Sequence, residues 1–185
     1  MNAQPTLETK RLILRPFRLE DAADVQRLAG AHEIASVTLN IPHPYEDGMA
    51  ESFILSLETQ WQQGRGATLA ITQRESGQLV GCMGMGIRPQ FQHAELGYWI
   101  GVPFWGQGYA TEAGSAMLHF GFITLKLHRI YASHLAGNPA SGRVQEKMGM
   151  KYEGRFREHY LKWGQWHDAD FRAILASEWA AETND

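Results

Sequence analysis

Cysteine is almost absent: Cys82 is the single one in 185 residues. No internal disulfide can form, which excludes the framework of a small disulfide-stapled domain. Basic charge is also scarce. The chain carries 17 Lys and Arg against 20 Asp and Glu, a formal net charge of −3. That leaves no electrostatic footprint for nucleic acid, so none is expected as a partner. A mildly acidic surface suits cationic amines. No apolar run reaches the length of a membrane span, and the N-terminal residues show no apolar signal core. The expectation is a cytoplasmic chain with no membrane partner. The eight histidines have no His-Glu-x-x-His or comparable spacing, so no metal is expected. There is no linker, repeat or low-complexity tract, and one domain over residues 1–185 is the natural reading. With 44% hydrophobic residues, that domain can bury a sizeable core. Cys82 lies in the apolar run Leu79 to Met85 and reads as packing, not as a nucleophile.

What is present is a regular alternation of short elements. Arg11 to Phe17 alternates apolar and polar residues and reads as a strand. Leu19 to Ala29 reads as a short helix, and Ala31 to Pro44 as irregular. Asp47 to Trp61 is helical in period, with Phe53, Ile54, Leu57 and Trp61 on one face; Gly64-Arg65-Gly66 ends it. Ala67 to Gln73 and Leu79 to Ile87 read as a hairpin around Glu75-Ser76-Gly77-Gln78. His93 to Ile100 is the next strand, and Arg129 to Ala136 another. A helix follows from Pro139 to Met148, with Asn138 as cap, Pro at its first position and Gly149 after its end. Lys151 to Lys162 and Gln165 to Ala173 read as two strands turning near Trp163-Gly164. This order predicts an α/β (α+β) domain with a central mixed sheet.

The segment Glu95 to Ala113 carries the most chemistry. A strand ends near Ile100, a glycine turn occupies Trp105 to Ala110, and a helix runs from about Tyr109 through Phe122. A helix start leaves N–H groups unpaired and adds partial positive charge. Gly106 and Gly108 have no side chains, so an anion can approach the main chain. The turn contains no Lys or Arg, so its backbone must do the binding. A phosphate-binding P-loop needs Gly-x4-Gly-Lys-Ser/Thr, and none exists. A dinucleotide turn needs a third glycine where Thr111 stands. The remaining kind of site binds coenzyme A, with the pyrophosphate over the turn and the pantetheine arm along the preceding strand. A turn whose glycines serve packing alone is the plainer alternative.

Trp105-Gly106-Gln107-Gly108-Tyr109-Ala110 resembles the acyl-CoA motif of the GNAT N-acetyltransferase superfamily, Gln/Arg-x-x-Gly-x-Gly/Ala. Trp at the first position, followed by Tyr-Ala-Thr-Glu-Ala, is similar to the ribosomal-protein-type branch. Asn138 to Met150 resembles the family's next strand-to-helix block. Leu7 to Pro16 and Arg157 to Asp168 also resemble that branch, so the likeness spans nearly the whole chain. It implies a GNAT fold: a mostly antiparallel mixed sheet of about seven strands flanked by about four helices. It implies acetyl-CoA as cosubstrate and a primary amine as acceptor, attacked in a ternary complex without an acyl-enzyme. Protein α-amino groups, ribosomal proteins included, are the branch's acceptors, and relatives acetylate small amines or antibiotics.

Residue by residue, the likeness assigns the pantetheine arm to Tyr98, Trp99, Ile100, Gly101 and Val102. The pyrophosphate falls to Trp105, Gly106, Gln107, Gly108, Tyr109, Ala110 and Thr111, with Asn138 and Ser141 beside the cofactor. Glu95 is the candidate for orienting or deprotonating the amine, since strand alternation puts it on one face with Gly97 and Trp99; a strand-holding salt bridge or hydrogen bond is its plainer role. His43, Glu46 and His93 are weaker alternatives. Many family members place a Tyr seven positions after the Asn, and here that position is Gln145. Ser141 is therefore the candidate for the leaving thiolate, or else a helix-start serine bonded to the backbone. Trp61, Trp99, Trp105, Trp163 and Trp166 are candidates for an acceptor pocket or for packing. Arg157, Glu158, His159 and Tyr160 are candidates for its wall or for a solvated strand face. Two rivals stand beside this reading: a non-catalytic acyl-CoA-binding module, kept open by Gln145, and a nucleotide-binding oxidoreductase. Monomer and homodimer are both open.

Overall fold

A computed structural model of the chain describes residues 3–182. Eight strands form one sheet: β1 (Leu7–Glu8), β2 (Leu12–Arg15), β3 (Gly66–Gln73), β4 (Leu79–Arg88), β5 (His93–Ile100), β6 (Arg129–Leu135), β7 (Lys151–Lys162) and β8 (Gln165–Leu175). Their order is β1-β2-β3-β4-β5-β6-β8-β7. Every neighbouring pair is antiparallel except β5 and β6, which run parallel at the middle of the sheet. The helices are α1 (Ala22–Ala29), α2 (His32–Val37), α3 (Met49–Gln62), α4 (Tyr109–His119), α5 (Pro139–Lys147) and α6 (Ala176–Glu182). The expected mixed, mostly antiparallel sheet is present, with eight strands where about seven were expected. The extra count comes from the two-residue β1, which pairs Leu7 with Leu14 and Glu8 with Ile13.

Three expectations are corrected. Ala31 to Pro44 is not irregular throughout, because α2 occupies His32–Val37. The helix after the glycine turn is regular only to His119, and a π-helical turn covers Phe120–Thr124. The last strand continues to Leu175 and passes directly into α6.

Strand alternation sorts the apolar residues into two cores. Ala94, Leu96 and Ile100 of β5 pack with Ala113, Met117 and Leu118 of α4. Trp99 points the other way and packs with Val25 and Leu28 of α1 and Ile54 of α3. The sheet is thus covered by α1 to α3 on one face and by α4 and α5 on the other. Ile54, Leu57 and Trp61 are buried as the helical period requires, with Phe53 packed against the second core.

The turn between β2 and α1 is fixed by a nearly dry ion pair. Arg15 donates to both oxygens of Asp21 at 2.8 Å, and the Arg18 N–H donates to Asp21 Oδ2 at 2.8 Å. The Asp21 side chain is 8% exposed. Burial pushes its carboxyl up, but the Arg15 and Arg18 hydrogen bonds outweigh burial and hold it below the usual aspartate range. A depressed folded-state pKa contributes stability above the unfolded pKa, near 3.9 for aspartate, and loses it as pH falls through the folded value. Asp21→Asn is expected to lower unfolding stability by about 2 kcal/mol or more at pH 7, since it strands a buried guanidinium. Urea titrations of both proteins should converge as the pH is lowered below about 4. Curves that differ equally at pH 7 and pH 3 would contradict this account.

Candidate active site

The parallel strands β5 and β6 pair at only three positions: His93 with Arg129, Ala94 with Ile130 and Glu95 with Tyr131. β5 nevertheless stays paired with β4 up to Ile100, and β6 with β8 up to Leu135. Beyond Glu95 the two strands diverge and the sheet opens into a fork. One edge of β5, from Leu96 to Ile100, is left without strand partners on that side. Exposed strand edges present N–H and C=O groups to whatever lies beside them. A cavity of about 1270 Å3 runs through the fork and reaches both faces of the sheet.

A polar cluster stands on each face. On the α1–α3 face, Glu95 sits at the root of the fork, half-buried. The Tyr131 hydroxyl donates to Glu95 Oε2 at 3.3 Å and the Ser133 hydroxyl to Glu95 Oε1 at 3.2 Å. Ser133 also lies 3.0 Å from the Tyr160 hydroxyl of β7. Two hydroxyls therefore fix the carboxylate without a cationic partner in hydrogen-bonding contact, and a strand-holding salt bridge does not form among the described residues. Tyr131 and Ser133 were missed from sequence. The signal was the alternation along β6 combined with the parallel register that sets Glu95 opposite Tyr131.

On the opposite face, Tyr98, Ser141, Gln145 and His134 form a chain. The Tyr98 and Ser141 hydroxyls are 2.8 Å apart, and Gln145 Nε2 donates to Ser141 Oγ at 3.3 Å. His134 Nδ1 donates to Gln145 Oε1 at 3.0 Å. Gln145 is completely buried. Burial pushes the Tyr98 phenol up to about 12, so it stays protonated. Burial also pushes His134 below its usual value, against the opposing Gln145 hydrogen bond and Asp170 carboxylate. Asn138 caps α5, its Oδ1 accepting from the Ser141 N–H at 3.2 Å, and both residues also line the cavity.

At the far end of the same face lies the glycine turn. A 3-10 turn at Val102–Phe104 precedes it. Gly106 and Gly108 have φ of +73° and +78°, and Gly108 begins α4 with no side-chain cap. The N–H groups of the first turn are thus left for an external anion. A Cβ on Gly106 would meet nothing within 4 Å, and one on Gly108 only the Arg11 guanidinium at 3.5 Å. Open space over an uncapped, glycine-flanked helix start fits a pyrophosphate. A cation from elsewhere in the chain stands beside the turn. Arg11, from the β1–β2 turn, donates to the Gln107 carbonyl at 3.0 Å and to Glu112 at 2.6 Å, and its guanidinium lies over the Tyr109 ring. Arg143 and Lys147 of α5 line the cavity as well. These three cations come from distant positions, so the loop sequence could not reveal them.

The expected site residues divide. Glu95, Tyr98, Trp99, Ile100 and Ser141 line the cavity, as do Trp105, Gly106, Gly108, Tyr109, Ala110, Thr111 and Asn138. Gly101, Val102 and Gln107 do not. The Gly101 N–H is spent on the Val80 carbonyl at 2.9 Å, Val102 packs into the second core, and the Gln107 amide turns to the Pro103 carbonyl. The Tyr109 ring is core, its hydroxyl accepting from Gln73, so only its backbone faces the turn. Of the tryptophans, Trp61 is core, Trp163 borders a smaller pocket and Trp166 is exposed. Of the late-strand candidates, Tyr160 lines the cavity while Arg157, Glu158 and His159 face solvent. His43, Glu46 and His93 lie outside the lining. Cys82 is buried, which pushes its thiol up to about 12 and makes it inert. Among the described residues no group of three or more His, Cys, Asp or Glu is placed to hold a metal ion.

A family profile described as an acetyltransferase (GNAT) domain matches residues 11–151, from β2 through the fork and α5 to the start of β7. The chain belongs to the GNAT family. It is an N-acetyltransferase, and the family uses acyl-CoA. The nucleotide-binding oxidoreductase reading falls away, and so does the non-catalytic module. This GNAT chain is 31% identical over 181 residues to a Bacillus subtilis protein named as an uncharacterized N-acetyltransferase, YoaA, covering 92% of the chain and 97% of that protein. It is 32% identical over 93 residues to the ribosomal protein uS5-alanine N-acetyltransferase of Escherichia coli, covering 50% of the chain and 48% of that enzyme. Mycobacterium smegmatis RimJ, solved in complex with CoA-disulfide, superposes with a TM-score of 0.81 at 25% identity, over 97% of this chain and 93% of that one. No described helix is long and apolar enough to cross a membrane.

Proposed function

We propose that the chain transfers acetyl from acetyl-CoA to a primary amine by direct attack in a ternary complex, and that the acceptor is the α-amino group of a polypeptide. The observation that carries this reading is the pair of polar clusters on opposite faces of one fork. The α4–α5 face offers the uncapped helix start and the free edge of β5 to the cosubstrate. The α1–α3 face offers one fixed carboxylate to the amine. Similarity over half of an enzyme that acts on a ribosomal protein supports the choice of polypeptide.

In this reading Glu95 holds the incoming ammonium and takes its proton, directly or through a water. The C–N bond forms as the C–S bond breaks. Ser141 donates a hydrogen bond to the departing sulfur. The hydroxyl is aimed because its oxygen already accepts from Gln145, and from Tyr98 when that phenol donates to it, leaving its own hydrogen free. A hydroxyl does not surrender its proton to an alkyl thiolate with a pKa near 8.5, so Ser141 stabilises the charge and solvent supplies the proton.

Ser141→Ala is expected to lower kcat by about tenfold or more while leaving both KM values nearly unchanged, as removal of a hydrogen bond to a charged leaving group should. Gln145→Ala should cost less turnover and more stability, because it strands the His134 N–H in a buried cavity. Steady-state kinetics and thermal unfolding of both variants with one active acceptor make the test. Normal turnover by Ser141→Ala would leave that residue a helix-start serine.

A further inference from the structure

The acceptor half of the fork has an unusual charge economy. Its walls come from the α2–α3 segment and from β7, with Leu39, Ile41, Tyr45, Met49, Phe53 and Leu161 among the lining residues. Three of these are apolar side chains already open to solvent: Leu39 is 37% exposed, Met49 38% and Leu161 59%. Glu95 is the only carboxylate among the described residues that line the cavity. The acidic Glu33, Glu46, Asp47 and Glu51 of the α2–α3 segment are exposed and outside the lining, and Asp47 accepts from Gln26. The lysine that borders these walls on β7 is committed elsewhere. Lys162 is buried, with its ammonium donating to the Thr38 carbonyl at 2.6 Å and lying over the Trp163 ring.

We propose that this half-cleft selects a primary amine carrying a single positive charge on an apolar, uncharged body, and that its source is a polypeptide whose first side chains are apolar. The proposal rests on the assignment of the α1–α3 face to the acceptor. One carboxylate neutralises one ammonium. A second cation drawn into the same walls meets no counter-ion and loses water, which is strongly unfavourable. An apolar body instead covers exposed leucine and methionine and removes both surfaces from water. Polyamines and aminoglycosides are therefore poor acceptors here, although the whole chain is acidic and attracts cations at long range.

The test measures CoA thiol release from acetyl-CoA with four acceptors. These are a peptide amide opening with alanine and leucine, the same peptide with lysine in place of the leucine, 2-phenylethylamine, and spermidine. The alanine-leucine peptide is expected to exceed both the lysine peptide and spermidine in kcat/KM by about a hundredfold, the scale of one unpaired desolvated charge. 2-Phenylethylamine should lie between them, since it has the single charge and apolar body but no peptide. Leu39→Glu, at a partly exposed position that tolerates a polar residue, adds a second carboxylate and should narrow the peptide-to-spermidine ratio at least tenfold. Leu39→Gln, which adds polarity without charge, should narrow it far less. Preference for spermidine or the lysine peptide, with brisk turnover, overturns the selectivity and leaves acetyl transfer standing. So does an equal shift by Leu39→Glu and Leu39→Gln. Failure to acetylate any of the four overturns the selectivity together with the assignment of the acceptor face.

Discussion

Replacing Glu95 with glutamine lowers kcat for amine acetylation about 10²-fold or more at neutral pH, the size of a typical general-base contribution. The glutamine keeps the shape; its one oxygen can accept from one of the two hydroxyls of Tyr131 and Ser133 while its amide nitrogen donates to the other, so the fold should not change. What it loses is the negative charge and the capacity to take a proton. An α-amino group has a pKa of about 8, so most of the acceptor is protonated at pH 7 and must be deprotonated in the site. Above about pH 9 free amine is abundant and the deficit should shrink. Acetyl-CoA affinity should hardly move, because Glu95 faces α1–α3 while Tyr98 and Ser141 face the other side. Ser133→Ala should show a milder loss with the same pH trend, since it frees one carboxylate oxygen from its donor. A pH-rate profile for the three proteins is the measurement. Glu95→Gln with ordinary turnover, or a deficit that stays constant with pH, would assign Glu95 to holding the strand.

Acetyl-CoA affinity falls by about tenfold or more in Gly108→Val, because backbone N–H contacts to an anion are charge-assisted bonds of roughly 1.5–3 kcal/mol each. A branched Cβ at φ +78° forces the turn to relax and intrudes where phosphate approaches the helix start. The backbone penalty itself needs a control. Gly77 has φ +71°, has nothing within 4 Å of an added Cβ, and sits in the β3–β4 turn outside the cavity lining. Gly77→Val carries similar strain, so its thermal unfolding should shift about as much while its acetyl-CoA affinity, read by calorimetry, stays at the parent value. Equal affinity losses in both variants would mean that the glycine turn acts through stability alone. An unchanged affinity in folded Gly108→Val would move the pyrophosphate elsewhere.

Much of this architecture is legible in the chain because it rests on local chemistry. Period-two alternation marks β2, the turn Glu75-Ser76-Gly77-Gln78 marks the β3–β4 hairpin, and glycine with positive φ marks the turn at Gly106 and Gly108. The Asn138 cap, Pro139 and Gly149 bound α5 within one residue. What escaped notice depends on partners far away in sequence. α2 is six residues long with no side-chain cap, so its existence is decided by the burial of Ile34 and Ala35. Arg11 reaches Gln107 and Glu112 across about a hundred positions, a distance that no loop motif spans. Glu95 was identified by its strand, but its hydroxyl donors were not, since Tyr131 and Ser133 look like ordinary strand residues until β6 is set beside β5. Gln145 read as the loss of a tyrosine. The fold makes it the buried link between His134 and Ser141.

The short parallel seam also has a mechanical meaning. Strands β1 to β5 and strands β6 to β8 are two antiparallel leaves, each stitched along its length, and three residue pairs join them across the middle of the sheet. Helix α4 and its π-helical end carry the chain from one leaf to the other. A molecule lying in the fork touches both leaves and acts as a strut between them, so mass action ties its occupancy to the integrity of the joint. At a hundred times its dissociation constant, a ligand that binds only the folded form adds about 2.7 kcal/mol of stability. The short seam between the two leaves is thus also where a bound ligand can strengthen the sheet.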